Sequence, residues 1–326
     1  MTLDEVRGQD VVVARLRRAM RVGRLGHALV FSGPAGVGKR TTAMALARTL
    51  LCRTGEGCRV CPECHLVDAG SHPDLFVEDI EKARLDRPTA TMLSIEQVRR
   101  LRSQLASRPL RGAHKVGILD PADRATPDAQ NALLKTLEEP PGAATLILVA
   151  SNSLALLPTI LSRCQRLLFA PLDSALVVEL LTAEGVAPEL SATAAALSGG
   201  SLERARALAD EEVAQVGSEL ASCLRELPRM SVPQLLDAAE EIAGPRGERG
   251  RERKEVRATM LLERLREEML ATAAAPAGDD AEDRLAAVRR AWKRLASGYE
   301  TWRDLEQNAN PQLAWNRLLF DLRATS

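Results

Sequence analysis

The segment Gly33-Pro34-Ala35-Gly36-Val37-Gly38-Lys39 narrows the choice of fold more than any other stretch of the chain. It follows the apolar His27-Ala28-Leu29-Val30-Phe31-Ser32 and runs into Thr41-Thr42-Ala43-Met44-Ala45-Leu46-Ala47, so its context is strand, glycine-rich loop, helix. That is the setting a Walker A phosphate loop needs. Glycines let backbone amides converge on an anion, the helix N-terminus adds its dipole, and a lysine supplies a point charge. Gly33, Gly36, Gly38 and Lys39 are therefore candidate nucleotide ligands. The other apolar runs, at 75–77, 116–119, 145–150 and 167–169, alternate with helical patterns, as a parallel sheet with crossover helices requires. Ser94-Ile95-Glu96-Gln97 reads as a capping box opening a helix that runs through Ala106.

Two departures surround this loop. The hydroxyl residue that ligates Mg²⁺ directly after the lysine is replaced by Arg40, and Thr41 comes one place later, turned by about 100° on the helix. Arg40 either neutralises phosphate or faces solvent. The strand Lys115-Val116-Gly117-Ile118-Leu119-Asp120 ends in an acid able to hold Mg²⁺ through water, but Pro121 follows where a proton-accepting glutamate is needed to orient attacking water. Asp123 as a stand-in must lie within hydrogen-bond reach of the nucleophile, and a solvated carboxylate at a helix start is the simpler reading. The pocket admits ATP on this reading, while the missing hydroxyl counts against Mg²⁺.

Cys52, Cys58, Cys61 and Cys64 form C-x5-C-x2-C-x2-C, a pattern suited to closed tetrahedral thiolate ligation of structural Zn²⁺. The N-terminus has neither a basic start nor an apolar signal segment, so a reducing compartment is expected and disulfides are not. His65, beside Cys64, is an alternative to Cys52. Cys164 and Cys223 have no cysteine near in sequence and read as small buried residues. His27 and His114 open apolar strands, where a hydrogen-bonded structural role is the default, and His72 precedes Pro73 in a turn. No nucleophile stands near them in a triad pattern.

Forty-four basic and 44 acidic residues balance, so no global nucleic-acid footprint exists and any DNA contact is local. Aromatics at 2 % leave no platform for stacking bases. No apolar run reaches the roughly 18 residues that span a bilayer. Arg249, Arg251, Arg253 and Lys254 form a basic cluster that reads as a solvated face. Trp292, Trp302 and Trp315 all lie in the helical last third, filling a core or an oligomer interface.

Several separate segments resemble the clamp-loader branch of the AAA+ ATPases. They are Gly8-Gln9 after Asp4-Glu5; Gly23-Arg24-Leu25-Gly26-His27-Ala28; His72-Pro73-Asp74-Leu75; Ala132-Leu133-Leu134-Lys135-Thr136-Leu137-Glu138-Glu139-Pro140-Pro141; and Leu156-Leu157-Pro158-Thr159-Ile160-Leu161-Ser162-Arg163-Cys164. The resemblance covers roughly residues 4 to 210, and within the branch it is strongest to the delta-prime group of bacterial DNA polymerase III, which is regarded as non-hydrolysing. It implies an AAA+ domain over 1–170 with an inserted zinc module at 52–64, a small helical lid over 171–209 and an all-α collar for oligomerisation over 210–326. It implies gamma/tau and delta subunits as partners, a sliding clamp and primed DNA reached through the complex, and a cytoplasmic location. Arg163 falls on the family's arginine finger, which enters the neighbouring subunit's nucleotide site; such a group supplied in trans is worth about 10³ to 10⁵ in rate. Asn131 and Lys135, four apart, share a helix face that either meets that neighbour or is solvated. The family's lid arginine follows Gly-Ser-Leu, but Gly200-Ser201-Leu202 is followed here by Glu203, with Arg204 one place late. The alternative function is an active gamma/tau-like motor using Lys39 and Asp120.

Overall fold

The computed structural model describes every residue except 1, 141, 210–219, 221, 244–247, 275–280, 307–308 and 326. The chain divides into two compact units, one of residues 1–176 with 200–203, the other of 177–199 with 204–326. The expected boundary between lid and collar, at 210, lies outside the described residues.

The first unit carries the parallel sheet with a phosphate loop that the sequence implied. Its five strands, β1 (Ala28–Ser32), β2 (Leu75–Asp79), β3 (Lys115–Asp120), β4 (Ala144–Ala150) and β5 (Gln165–Leu168), are all parallel and lie in the order β2-β3-β4-β1-β5. Strands β1 and β4 are buried along their whole length, which is why they read as unbroken apolar runs rather than alternating ones. The edge strand β5 starts two residues before the apolar run at 167–169, because Gln165 and Arg166 occupy its more exposed half.

The helices of this unit are α1 (Asp10–Arg21), α2 (Lys39–Leu51), α3 (Pro62–Asp68), α4 (Ile80–Asp86), α5 (Ile95–Ala106), α6 (Pro127–Glu138) and α7 (Pro158–Leu161). Helix α5 begins with the capping box, Ser94 N–H donating to Gln97 Oε1 at 3.1 Å and Gln97 N–H to Ser94 Oγ at 3.4 Å. Helix α6 starts at Pro127 with the Thr126 side chain accepting from Ala129 N–H, so the ring fills a position whose N–H has no helical partner. Leu101, Leu105, Leu133 and Leu137 from these two helices pack with Leu119, Leu146 and Leu148 of the sheet in one core.

The second unit is helical among its described residues, with segments that include Pro188–Leu197, Val232–Ala243, Glu248–Ala274, Ala281–Glu306 and Pro311–Ala324. Its core gathers Leu227, Leu235, Ala239, Leu261, Leu265, Leu295, Leu318 and Leu322 around the fully buried Trp315. The three tryptophans separate: Trp302 packs on the same core, whereas Trp292 is exposed. The side chains of Arg249, Arg251, Arg253 and Lys254 lie outside the described residues. No described helix is long and apolar enough to cross a membrane.

Candidate functional site

The phosphate loop leaves the C-terminal end of β1 and turns into α2 through Gly38, whose left-handed backbone (φ 93°) sets the first helical residue, Lys39. Gly36 is held by its neighbours as well as by its φ of 70°. A Cβ there would stand 2.3 Å from Ser201 Oγ and 2.9 Å from the Glu203 backbone nitrogen, and Leu202 N–H donates to the Gly36 carbonyl at 3.0 Å. Gln9 secures the loop from below, its Nε2 donating to the carbonyls of Val37 at 3.2 Å and Ala170 at 2.8 Å. The Gly8-Gln9 pair thus has a structural duty that joins α1, the loop and the end of β5.

Lys39 is buried and turned onto the loop itself, donating to Gly33 O at 2.6 Å, to Pro34 O, and to Ser151 Oγ at 3.4 Å. Burial lowers its ammonium from the usual lysine range, with Asp120, Asp123 and Glu203 acting the other way. Arg40 is exposed, one of the two expectations, and it also pairs with two carboxylates. Its Nη2 donates to Asp79 Oδ2 at 2.8 Å and its Nη1 to Asp120 Oδ2 at 3.1 Å. Burial pushes the Asp120 carboxyl above its usual range while Arg40 and Lys39 pull it back down.

Thr41 is exposed, whereas Thr42 is buried and donates to Gly38 O at 2.8 Å. The solvated reading of Asp123 needs correction, since its Oδ2 accepts from the backbone N–H groups of Ser151 at 3.1 Å and Asn152 at 2.8 Å and so fixes the turn that ends β4. Where a lid arginine is expected, Glu203 abuts Gly36 and acts electrostatically on Lys39. Two cations, Lys39 and Arg40, therefore face four carboxylates, those of Asp79, Asp120, Asp123 and Glu203.

Asp79, Ser151 and the proximity of Glu203 were not found from sequence. Asp79 lies 41 positions before Asp120, and only the β2–β3 register makes the two direct partners. The local signal for Asp79 is the acidic pair Glu78-Asp79 that follows the apolar run 75–77.

Arg163 lies elsewhere. It sits in the turn between α7 and β5, and Gln165 pairs with Leu29 at the start of β1, so Arg163 stands at the end of the sheet opposite the phosphate loop. Four residue steps lead from Leu29 to Gly33, about 13 Å at the rise of a parallel strand. Its guanidinium is exposed, pairs with Glu138 Oε1 at 2.9 Å and donates to Thr159 O at 3.1 Å. Such an exposed pair is worth about 0 to 1 kcal/mol, so the arginine is easily redirected. Glu138 comes from the ten-residue segment 132–141, whose Leu133 and Leu137 point into the core while Asn131, Lys135 and Glu138 are exposed on α6.

The four cysteines converge, their sulfurs all within 4.8 Å of one another, with Cys52 Sγ 3.9 Å from Cys61 Sγ. A tetrahedron of sulfurs at the Zn–S distance of about 2.3 Å has edges of about 3.8 Å, so the donor set fits the ion. Backbone N–H groups of Cys58 and Cys64 point at Cys52 Sγ (3.3 Å) and Cys61 Sγ (3.5 Å), as thiolates need. Burial raises Cys52, but hydrogen bonds from Thr54 and Cys58 overcome it and bring the thiol down to about 5; burial pushes Cys64 up to about 12. Cys52 belongs to the cluster, and its alternative His65 is exposed outside it.

Between Cys61 and Cys64, Glu63 is buried and ties this module to the sheet. It accepts from Arg111 Nε at 2.8 Å and from Arg53 Nη2 at 3.2 Å, and Arg111 and Arg53 hold its carboxyl down at about 2. His72, expected in a turn, is buried. Its Nδ1 accepts from Asp74 N–H at 3.0 Å, while Nε2 stands 3.3 Å from Glu63 Oε2 without hydrogen-bond alignment. Asp74 takes the N–H groups of Leu110 and Arg111, both at 2.8 Å. The His72-Pro73-Asp74-Leu75 segment is thus a fastener between the module, β2 and the loop after α5. His27 and His114 have the structural roles expected, His27 Nε2 lying 3.3 Å from Leu137 O and His114 Nε2 2.8 Å from Thr145 Oγ1.

Residues 8–173 match the family described as "DNA polymerase III, delta subunit". The chain is 36 % identical over 236 residues to DNA polymerase III subunit delta' of Yersinia pestis, covering 68 % of each chain. It is 31 % identical over 209 residues to the delta' subunit of Bacillus subtilis (strain 168), 64 % of this chain and 61 % of that one. To DNA polymerase III subunit tau of Salmonella typhimurium it is 33 % identical over 261 residues, 76 % of this chain and 39 % of the relative. The chain thus spans well under two thirds of the tau relative's length and slightly under two thirds of the Bacillus one.

Proposed function

Since this chain belongs to the DNA polymerase III delta-prime family, we propose that it is a clamp-loader subunit that does not hydrolyse ATP itself and completes a neighbour's ATPase site with Arg163. The observation that carries this reading is the separation of Arg163 from the chain's own phosphate loop by the length of β1. An arginine at that end of the sheet has no route to its own pocket, and its loose pairing with Glu138 leaves it free to meet a phosphate presented by another chain. Guanidinium is permanently charged and matches phosphate oxygens with several donors. Its partners in this role are homologous gamma/tau-type ATPase subunits and delta, and through the complex a sliding clamp and primed DNA.

The chain's own pocket supports the same division of labour. Pro121 has no proton acceptor, Asp120 is already committed to Arg40, and Glu203 brings a negative charge to the phosphate loop. The isolated chain is expected to turn ATP over well below about 1 s⁻¹, the low end of ordinary enzyme rates. Turnover at that rate which disappears in Lys39→Ala would make the chain a motor subunit instead.

The cysteine cluster is read as a structural Zn²⁺ site, since all four positions are filled by protein sulfur and none is open for chemistry. A surface for assembly is suggested within the helix Ala281–Glu306, where Leu285, Trp292 and Tyr299 recur every seven residues and are 50 %, 61 % and 53 % exposed. Residues seven apart fall near one face of a helix, so the three side chains offer an apolar stripe to a partner. Trp292→Ser is expected to keep the monomer's helicity and thermal midpoint while weakening assembly with the other subunits on size-exclusion chromatography; an unchanged elution profile would remove this helix from the interface.

A further inference from the structure

Strands β2 and β3 end side by side, with Asp79 and Asp120 as direct register partners next to the phosphate loop. Two carboxylates so placed repel each other unless a cation lies between them. They are also poorly hydrated, their side chains being only 10 % and 15 % exposed. Beside a phosphate loop the usual answer is a hydrated Mg²⁺, also bound by a hydroxyl on the residue after the lysine. Here that residue is Arg40, and the same two oxygens that face the site, Asp79 Oδ2 and Asp120 Oδ2, accept from its two terminal nitrogens at 2.8 and 3.1 Å.

We propose that Arg40 is the resident cation of this site: its guanidinium takes the place of a divalent metal between Asp79 and Asp120, closes the pocket to metal, and hides a latent divalent-cation site that its removal uncovers. Mg²⁺ demands near-octahedral oxygen ligation at about 2.0 to 2.1 Å and retains several waters. The fork of Arg40 takes up both Oδ2 atoms, Lys82 N–H takes up Asp79 Oδ1 at 2.9 Å, and the permanent positive charge beside the carboxylates repels a divalent ion. The residues present therefore do not fit Mg²⁺. Arginine suits the substitution better than lysine would, because its charge is permanent and its fork spans two acceptors at once. Arg40 thereby ties α2 to the ends of β2 and β3. This inference is independent of the role given to Arg163.

The test uses full-length protein with its cysteine cluster saturated with zinc, and Mn²⁺ as the probe. The parent is expected to bind no Mn²⁺ near β2 and β3, and its thermal midpoint should not respond to Mg²⁺. Arg40→Ser, which restores a hydroxyl and frees both carboxylates, should unfold at lower temperature, regain part of that loss with Mg²⁺, and bind one additional Mn²⁺ per chain by electron paramagnetic resonance. Adding Asp120→Asn to Arg40→Ser should abolish both gains, which a merely structural salt bridge would not predict. The proposal is overturned if the folded Arg40→Ser chain binds Mn²⁺ less than about tenfold more tightly than the parent. Should the variant fail to fold, the parent decides alone: paramagnetic broadening of the resonances of residues 79 and 120 by Mn²⁺ overturns the proposal, and their sharpness sustains it.

Discussion

A loader reconstituted with Arg163→Ala should assemble normally and lose ATP hydrolysis at the neighbouring site by about 10³- to 10⁵-fold, the worth of an arginine supplied in trans. Folding is not at risk, because the side chain is exposed and its pairing with Glu138 is a surface ion pair worth about 0 to 1 kcal/mol. The rate falls because charge developing on the transferred phosphoryl group loses a donor aimed at it, whereas ground-state nucleotide keeps its other ligands. Single-turnover hydrolysis of the assembled complex isolates this step, and size exclusion shows that the complex has formed. Glu138→Gln serves as the companion measurement. It releases Arg163 from its resting partner without removing the guanidinium, so hydrolysis should stay near the parent rate. If the Arg163→Ala complex hydrolyses ATP as fast as the parent, the trans role is wrong and Arg163 is an ordinary surface residue.

The second large effect is expected at the cysteine cluster. Purified chain should carry one Zn²⁺, and Cys64→Ser should lose it. Cys64 is the most deeply buried of the four, and in the metal-free state its thiol is held protonated by burial, so the ion is what makes a thiolate stable at that position. Structural zinc in small finger peptides is bound with apparent energies of about 10 to 16 kcal/mol. The module here is short, Pro62–Asp68 being its only helix of any length, and little apolar surface holds it apart from Cys64 and Val67. Its other attachments are polar: the Glu63–Arg111–Arg53 group with His72 beside it, the pairing of Asp68 with Arg48, and that of Arg59 with Glu5. Loss of metal should therefore speed amide exchange across 52–68 by orders of magnitude while β1 and β4 stay protected. Metal analysis showing no zinc in the parent, or protection of 52–68 unchanged in Cys64→Ser, would remove the assignment.

Much of the first unit was legible because its signals are local. The phosphate loop needs its glycines, lysine and flanking strand within a few residues. The four cysteines needed only their spacing, and the capping box at Ser94 is complete within four positions. The central strands were visible because burial on both faces leaves a continuous apolar run. The edge strand β5 was misplaced by two residues for the opposite reason.

What the sequence determined by itself is the inventory of the site: a phosphate loop, an acid at a strand end, a cation where a hydroxyl belongs, a proline where a base belongs, and an arginine before the last strand. The tertiary structure alone decided how these meet. Arg40 turned to two carboxylates because the β2–β3 register sets Asp79 beside Asp120, a pairing across 41 residues that no local pattern encodes. Arg163 turned away from the phosphate loop because β5 runs parallel to β1, which puts the residue preceding it at the far end of the sheet. Chemistry is written residue by residue along the chain, whereas distance and direction depend on strand order, and strand order is set by which apolar faces can be buried together.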